Sequence, residues 1–267
     1  MLIAKGDDHE RWFRRWPREP EVRLKLICFP YGGGSPDAYE RWSDQLPDTI
    51  EVMALRLPGH DSRLREAHYR DWAPLLDDLE EVLSPIRDQP FAFFGHSFGA
   101  RIAYELAARS QARGLAMPQQ LFVSGCRCPH QANRRPLMHQ LPSPDFRAQV
   151  LAENEHIAKM EYASDAVKLF EPLLRAEIGL SERWGGLNKP RLAVPITALA
   201  GEHDPIDPPE KMLEWGSYTE REFSFFTFSG DHFFVHSHEG LVLEHVAWKL
   251  RHASADTPQR PREEASA

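Results

Sequence analysis

One stretch of the sequence, residues 91–114, sets the strongest limit on the fold. It reads FAFFGHSFGARIAYELAARSQARG, so an apolar run is followed by glycine, histidine, serine and glycine, and then by apolar residues at helical spacing. A continuous apolar run is typical of a strand that is covered on both faces. The stretch therefore predicts a buried strand, a sharp turn that carries Ser97, and a helix that ends at Gly114.

A serine at such a turn has a chemical use. The turn lifts its hydroxyl above the edge of the sheet and directs the N-terminus of the following helix toward it. Gly95 and Gly99 flank Ser97, and we predict that a side chain at either position would collide where the strand and helix backbones pass closely. The pattern G-x-S-x-G also occurs by chance, but a strand before it and a helix after it favour Ser97 as a nucleophile.

Other apolar, β-rich runs recur between helical segments along the chain. Strands that alternate with helices predict an α/β fold with a mostly parallel, doubly wound sheet. The predicted strands are residues 24–29, 52–57, 91–94, 121–125, 195–200 and 223–228. The helix before the serine strand has one apolar stripe that begins behind Asp71, its predicted N-cap.

The segment between the fourth and fifth predicted strands is longer than a crossover needs. It predicts an insertion at about 130–190 with two helices, each starting at a capping serine. These helices could simply pack on the core, or they could form a lid over the serine, and a long insertion after the nucleophile strand favours the lid. We predict one domain over 1–252, and a disordered tail at 253–267 because that segment is polar and interrupted by proline.

Composition narrows the class of protein. The chain has 42% hydrophobic and 27% charged residues, which is ordinary for a globular protein, and its net charge of −8 argues against a general nucleic-acid binder. No apolar run reaches the length of about 18 residues that spans a membrane, and none resembles an export signal, so we expect a cytoplasmic protein. The 3 cysteines form no zinc-ligand pattern and are expected to be reduced, so no metal is predicted.

A serine nucleophile needs a histidine to accept its proton and a carboxylate to orient that histidine. On a doubly wound sheet, catalytic groups lie on loops at the carboxyl ends of strands. His232 follows the last predicted strand through a Ser-Gly turn and is the predicted base. His96 lies next to Ser97 in sequence, and we predict that its side chain points away and orients the turn.

The acid is predicted in the loop after the penultimate strand, which contains Glu202, Asp204 and Asp207. Asp207 precedes Pro-Pro-Glu and is predicted to cap a helix. Asp204 then remains in the loop as the predicted acid. Asp231 is adjacent to His232 in sequence and is therefore poorly placed to reach that ring.

Two backbone amides must face the negative charge that develops on the carbonyl oxygen of the substrate. One amide is predicted from Phe98, the residue after the nucleophile. The second is predicted in the loop at 29–42, where three glycines, residues 32–34, let the backbone approach a ligand closely. This loop lacks the Gly-Lys-Ser/Thr and G-x-G-x-x-G patterns of phosphate-binding loops.

Taken together, the motifs resemble those of the stand-alone type II thioesterases that accompany polyketide synthases and nonribosomal peptide synthetases. The resemblance spans nearly the whole chain and rests on WFRRW, LICFPYGGGSPDAYERW, LRLPGHDSR, PFAFFGHSFGARIAYELA, LFVSGCRCP, LPSPDF, LLRAEIGLSERW, PITALAGEHDP and FSGDHFF. Two positions differ from the usual family pattern: Phe98 stands where methionine is common, and His60-Asp61 replaces a more basic pair. Phe98 keeps its amide available, and its side chain is expected to reshape the acyl entrance.

The resemblance implies an α/β-hydrolase fold in which Ser97, Asp204 and His232 form a catalytic triad. It also implies that the amides of Phe98 and Gly32 form the oxyanion hole. The implied reaction is hydrolysis of acyl or aminoacyl thioesters on the phosphopantetheine arm of an acyl or peptidyl carrier protein. The implied role is editing, and the enzyme is expected to act as a monomer without a cofactor of its own.

Two other functions stay open at this stage. A small-molecule carboxylesterase or another α/β-hydrolase would share the fold, and preference for thioesters over oxygen esters would discriminate against it. A catalytically silent carrier-docking protein is the second alternative, and the intact set of serine, acid and histidine argues against it. Because the chain is acidic, docking to an acidic carrier needs a local patch; the candidates, which could equally be solvated surface, are Arg127, Arg134, Arg135 and Arg147.

Overall fold

A computed structural model describes residues 5–16, 22–131, 137–153, 162–186 and 189–253. The strands are β1 (Phe13–Trp16), β2 (Leu24–Phe29), β3 (Ile50–Leu55), β4 (Phe91–His96), β5 (Leu121–Ser124), β6 (Ile196–Gly201) and β7 (Phe223–Phe228). The described α-helices are α1 (Lys5–Trp12), α2 (Glu40–Gln45), α3 (Trp72–Leu83), α4 (Phe98–Ala112), α5 (Ser143–Glu153), α6 (Ala163–Glu182), α7 (Pro209–Leu213), α8 (Phe234–Ser237) and α9 (Glu239–Ala253).

The strands form one sheet in the order β1-β3-β2-β4-β5-β6-β7. All neighbouring pairs are parallel except β1 with β3. Every residue of β3, β4, β5 and β6 is buried, because helices cover both faces of the sheet. The predicted parallel, doubly wound sheet is therefore confirmed, and the bounds of β2 and β7 match the prediction to the residue.

Strand β1 was not predicted from the sequence. It places Arg14 and Arg15 in the middle of a four-residue strand, so it lacks the apolar run that marks the buried strands. It lies at the edge of the sheet and pairs antiparallel with β3, Phe13 opposite Leu55. At an edge, one side of the strand faces solvent, and charged side chains are tolerated there.

The sheet changes direction between β2 and β4. From β2 the chain passes to β3 on one side, and it then returns to β4 on the other side of β2. The loops after β2 and β4 therefore diverge at the carboxyl edge of the sheet and leave a crevice, which is the usual ligand position in this architecture. The glycine loop and Ser97 both belong to this crevice.

Helices α5 and α6 lie in the insertion between β5 and β6. They share a small apolar cluster that is separate from the two clusters on the faces of the sheet, formed by Phe146, Val150, Val167 and Leu174. Helix α6 begins at Ala163, so Ser164 lies inside the helix and the prediction that it caps this helix is wrong. Asp71 does occupy the N-cap position of α3, without a side-chain hydrogen bond.

Parts of the predicted insertion and of the predicted tail do not belong to the described residues. Residues 132–136, 154–161 and 187–188 of the predicted insertion, and nearly all of the predicted tail, lie outside them.

Cys28, Cys126 and Cys128 are buried free thiols. Among the helices that the structure describes, none combines the length and apolarity needed to cross a membrane.

Candidate active site

Ser97 lies in a strained turn between β4 and α4. Its φ of 52° and ψ of −113° are an unusual combination for a residue with a side chain, and such backbone strain costs about 1–3 kcal/mol. Its amide donates to the carbonyl of Ser124 on the neighbouring strand at 2.8 Å, which holds the turn against the sheet. The sharp turn predicted at this serine is therefore present.

The two glycines around Ser97 allow its turn to form. A Cβ atom added to Gly99 would lie 1.9 Å from the carbonyl oxygen of Phe29, and one added to Gly95 would lie 2.3 Å from the carbonyl oxygen of Gly99. Both distances are far below van der Waals contact. The predicted collision at these positions is confirmed. Because glycine has no Cβ atom, helix α4 can begin this close to β2.

His232 and Asp204 meet at the carboxyl ends of β6 and β7. The amide of His203 donates to the carbonyl of Gly230 at 2.9 Å, which joins the two loops. The Nδ1 atom of His232 lies 2.7 Å from Oδ2 of Asp204, and both side chains are buried. The other oxygen of Asp204 accepts the amides of Ile206 and Asp207 at 2.8 and 3.0 Å, so the carboxylate is held in place from its own loop.

This pairing shifts the pKa of both side chains. Burial alone would lower the pKa of His232, but its hydrogen bond to Asp204 and the charge of that carboxylate outweigh burial and raise it above 6.5. Burial alone would raise the pKa of Asp204, but the hydrogen bond and charge of His232, with two backbone amides, lower it. Asp204 is therefore a carboxylate at neutral pH, and it favours a proton on Nδ1 of His232.

A cavity of about 410 Å³ opens beside these residues, and its lining includes Tyr31, Gly32, Ser97, Phe98 and His232. Phe98 is the first residue of α4, so its amide has no acceptor within the helix. The amide of Gly32 makes no hydrogen bond with a described residue, whereas the amides of Gly33 and Gly34 do. Four of the five predicted site residues therefore line one cavity. The fifth, Asp204, lies behind His232.

The glycine loop is attached to helix α6 of the insertion. The amide of Gly33 donates to Oε2 of Glu177 at 2.6 Å, and Oε1 of the same carboxylate lies 2.8 Å from Nε2 of His60. Gly33 has a φ of +78°, and a Cβ there would lie 2.6 Å from Leu174. Burial would lower the pKa of His60, but the charge and hydrogen bond of Glu177 raise it, so a charge-assisted contact holds the loop.

Two further histidines support the site without belonging to the predicted triad. Nε2 of His236 lies 3.0 Å from the hydroxyl of Tyr31, a residue of the glycine loop. Burial raises the pKa of Tyr31 to about 12, so its hydroxyl stays protonated. The Nδ1 atom of His96 lies 2.9 Å from the hydroxyl of Ser124, and its ring lies 5.2 Å from the ring of His232.

Asp207 does not cap a helix, so that prediction is wrong. Helix α7 begins at Pro209 with Pro208 at the N-cap and without a side-chain cap. The carboxylate of Asp207 instead accepts Nε of Arg127 at 2.5 Å and lies 3.7 Å from Arg101. A buried charge pair outweighs a local capping pattern, because an unpaired buried carboxylate would be very unfavourable.

The ion pair between Arg127 and Asp207 removes Arg127 from the predicted docking patch. Arg127 is 7% exposed and bound to Asp207, so it cannot contribute to a docking surface. Arg147 forms an ion pair with Glu171 at 3.2 Å, which neutralises its charge on the surface. Arg134 and Arg135 lie outside the described residues.

Comparison with solved structures supports the fold assignment. The type II thioesterase BorB from the borrelidin biosynthetic cluster matches with a TM-score of 0.79 and 30% identity, over 90% of this chain and 96% of that chain. The predicted α/β-hydrolase fold is confirmed.

Sequence comparison identifies the family. A family model described as a thioesterase domain matches residues 24–252. Thioesterase PikA5 of Streptomyces venezuelae is 30% identical over 236 residues, 85% of this chain and 81% of that protein. Linear gramicidin dehydrogenase LgrE of Brevibacillus parabrevis is 31% identical over 236 residues, 87% of this chain and 90% of that protein. The chain belongs to the thioesterase domain family, as its motifs predict.

Proposed function

We propose that this thioesterase hydrolyses acyl or aminoacyl thioesters carried on the phosphopantetheine arm of an acyl or peptidyl carrier protein. Its role would be to clear wrong or stalled groups during polyketide or nonribosomal peptide biosynthesis. The names of BorB and PikA5 support this substrate class. The observation that carries the proposal is the buried hydrogen bond between His232 and Asp204, together with the cavity that His232 and Ser97 both line.

In the first half of the proposed reaction, Ser97 attacks the thioester carbonyl carbon. His232 accepts the serine proton on Nε2, while Asp204 holds the proton on Nδ1 and stabilises the imidazolium. The amides of Phe98 and Gly32 donate to the oxyanion. The carbon–sulfur bond then breaks, and the pantetheine sulfur leaves as a thiol after receiving the proton from His232.

The second half of the reaction releases the acyl group. A water molecule gives a proton to Nε2 of His232 and attacks the Ser97 ester. The ester bond to Oγ breaks, and the serine recovers the proton from His232. The products are a carboxylic acid and free enzyme, and the balance needs no redox agent or cofactor.

Ser97 and His232 both line the cavity. Among the described residues, the hydroxyl of Ser97 makes no hydrogen bond. Catalytic hydrogen bonds are often long in free enzymes and tighten when substrate binds. We therefore expect the side chains of Ser97 and His232 to approach when an acyl thioester occupies the cavity.

LgrE carries the name of a dehydrogenase, a different class of reaction. Dinucleotides usually bind a G-x-G-x-x-G loop after the first strand, and here the loop after β2 reads YGGGSPD without that spacing. The residues in the cavity favour acyl transfer instead.

We place the reaction in the cytoplasm, since reduced thiols are typical of that compartment.

The proposal is tested by steady-state hydrolysis of three substrates that share one acyl group: an acyl-carrier protein, an acyl-pantetheine and a p-nitrophenyl ester. Ser97→Ala serves as the inactive variant. Ser217→Ala is the matched control, because the only hydrogen bond that the Ser217 hydroxyl makes with a described residue is to the carbonyl of Glu214 in its own turn. We expect the highest kcat/KM for the carrier-bound thioester.

Each other outcome would support an alternative. If the oxygen ester has the highest kcat/KM, the protein is better described as a carboxylesterase. If no substrate turns over while the chain is folded and binds a carrier protein, the catalytically silent docking protein is the better account. If thioesters turn over equally well with and without the carrier protein, the carrier partner is contradicted but the thioesterase reaction stands.

A further inference from the structure

Tyr31 begins the turn that contains the proposed oxyanion donor, Gly32. The carbonyl of Tyr31 accepts the amide of Gly34 at 2.8 Å, so residues 31–34 form a β-turn. Gly33 is the third residue of this turn, and its φ of +78° is the value that a type II turn requires there. Gly32 is the second residue, whose amide takes no part in the bond that closes the turn.

The position of the Gly32 amide depends directly on Tyr31. A peptide unit is planar, so the carbonyl of Tyr31 and the amide of Gly32 move together as one rigid group. The amide of Gly34 holds this group from within the turn. The side chain of Tyr31 holds it from outside the turn, and a shift of that side chain is therefore transmitted to the donor.

The ring of Tyr31 packs against the segment that carries His232. It makes an edge-on contact with Phe233, the residue after His232, at 5.2 Å and 79°, and another with His236 at 5.4 Å and 81°. A third edge-on contact, at 5.9 Å, joins it to His96, whose ring lies 5.2 Å from that of His232. Aromatic rings favour this edge-on geometry, so the contacts hold Tyr31 in one orientation beside the base.

A hydrogen bond completes this contact. The hydroxyl of Tyr31 lies 3.0 Å from Nε2 of His236, which is 205 residues later in the chain. Burial raises the pKa of Tyr31 to about 12, so the hydroxyl keeps its proton and can donate it to Nε2. The amide of His236 donates to the carbonyl of Phe233 at 2.9 Å. The bond therefore joins the turn of Gly32 to the segment of His232.

We propose that Tyr31 and His236 are positioning residues that fix the oxyanion donor at Gly32 relative to the base His232. Neither exchanges a proton with the substrate. Their bond matters most in the transition state, when the oxyanion and the imidazolium are present together, so it acts on kcat more than on KM. This inference rests on the Ser97 mechanism of the proposed function, and it holds for any leaving group.

The test is a double-mutant cycle with Tyr31→Phe, His236→Phe and the two substitutions combined. Each substitution keeps an aromatic ring and removes one partner of the hydrogen bond. Tyr218→Phe is the matched control, because the Tyr218 hydroxyl also lies 3.0 Å from a histidine nitrogen, Nδ1 of His130, in another part of the chain. The thermal midpoint of each variant is recorded as a check on folding.

Two quantities are measured for each variant. The first is the pair of kcat and KM for an acyl-pantetheine and for a p-nitrophenyl ester of the same acyl group. The second is the inhibition constant of butylboronic acid. Its boron forms a bond to Oγ of Ser97 while the serine proton passes to His232, and the tetrahedral boronate then carries its negative charge beside the oxyanion donors.

We expect Tyr31→Phe to lower kcat by about 3- to 10-fold and to change KM by less than about twofold, the usual effect of one lost neutral hydrogen bond. The inhibition constant of butylboronic acid should rise by the same factor. The combined variant should lose no more than His236→Phe alone, since both remove one bond, and Tyr218→Phe should keep the wild-type kcat. A merely structural role would lower the thermal midpoint and leave kcat and the inhibition constant of the folded enzyme unchanged.

Two results would overturn the inference. The first is a folded Tyr31→Phe whose kcat and inhibition constant stay within about twofold of the wild type. The second is a combined variant in which the two losses multiply, which would show that the residues act independently. If Tyr31→Phe fails to fold, an unchanged inhibition constant in His236→Phe decides against the inference in the same way. Turnover of the oxygen ester alone would contradict the proposed function and not the role of Tyr31, and absence of all hydrolysis by the wild type would contradict both.

Discussion

Glu177 and Gly33 are 144 residues apart in sequence, yet the carboxylate of Glu177 accepts the amide of Gly33 at 2.6 Å. Through this bond a helix of the insertion holds the loop that carries Gly32. His60 contacts the other oxygen of the same carboxylate at 2.8 Å. The position of the insertion and the position of a proposed oxyanion donor are therefore linked.

We expect Glu177→Gln to lower kcat by about tenfold and to change KM less. Hydrogen bonds to a charged group contribute about 1.5–3 kcal/mol, and a displaced oxyanion donor affects the transition state more than the bound substrate. Glu171→Gln is the matched control on the same helix, because Glu171 binds Arg147 and Arg175 and not the glycine loop. Equal kcat in the two variants would show that Glu177 does not position the loop for catalysis.

Asp204→Asn should abolish most activity while leaving the fold intact. An asparagine amide facing Nδ1 of His232 donates a hydrogen bond, which forces the imidazole proton onto Nε2 and prevents it from accepting the serine proton. The corresponding substitution in serine proteases lowers kcat by about 10⁴-fold. The measurement is kcat for an acyl-pantetheine, with the circular dichroism spectrum as a check on folding. A loss of less than tenfold would exclude Asp204 as the group that orients His232.

The pH dependence of kcat/KM should report the titration of His232. The base must be neutral to accept a proton, so kcat/KM rises with pH through the pKa of His232 in the free enzyme. Because Asp204 raises that pKa, the midpoint of the acid limb should lie above 6.5. Rates are measured at constant ionic strength, and the rate with Ser97→Ala is subtracted as background. A midpoint below 6.5 would contradict the assigned pairing.

Gly99→Ala should destabilise the protein by about 3 kcal/mol or more, at the upper end of what overpacking costs. The added Cβ would lie 1.9 Å from the Phe29 carbonyl, and neither backbone can move without separating α4 from β2. Gly240→Ala is the control, since nothing lies within 4 Å of a Cβ at that helical position, and it should be neutral or up to about 1 kcal/mol stabilising. Urea denaturation measures both variants, and equal midpoints would refute the steric argument.

The sequence predicted the parallel sheet and the loops that bring Ser97, His232 and Asp204 to one edge. That prediction depends only on local patterns: buried apolar runs define the strands, and their carboxyl ends define the loops. Strand β1 was missed for the same reason, because its central Arg14 and Arg15 conceal an edge strand that only pairing with β3 reveals.

The remaining features depend on contacts between distant segments. Asp207 satisfies a local capping pattern but binds Arg127, and nothing in the sequence near either residue shows this pairing. Glu177 lies in an ordinary amphipathic helix, and only the unusual His60 indicated that the region differs from its relatives. Arg101 occupies a helical position where a charged side chain would normally be solvated, and its burial becomes evident only when the insertion covers α4.

The most direct test of the account is the ratio of kcat for Ser97→Ala to that for the wild type, measured with an acyl-pantetheine thioester, with Ser217→Ala beside it. We expect Ser97→Ala to lose activity by about 10⁴-fold or more, as nucleophile variants of serine hydrolases do, with an unchanged thermal midpoint, and Ser217→Ala to match the wild type. If a folded Ser97→Ala variant kept kcat within tenfold of the wild type, Ser97 would not be the nucleophile and the proposed mechanism would be wrong.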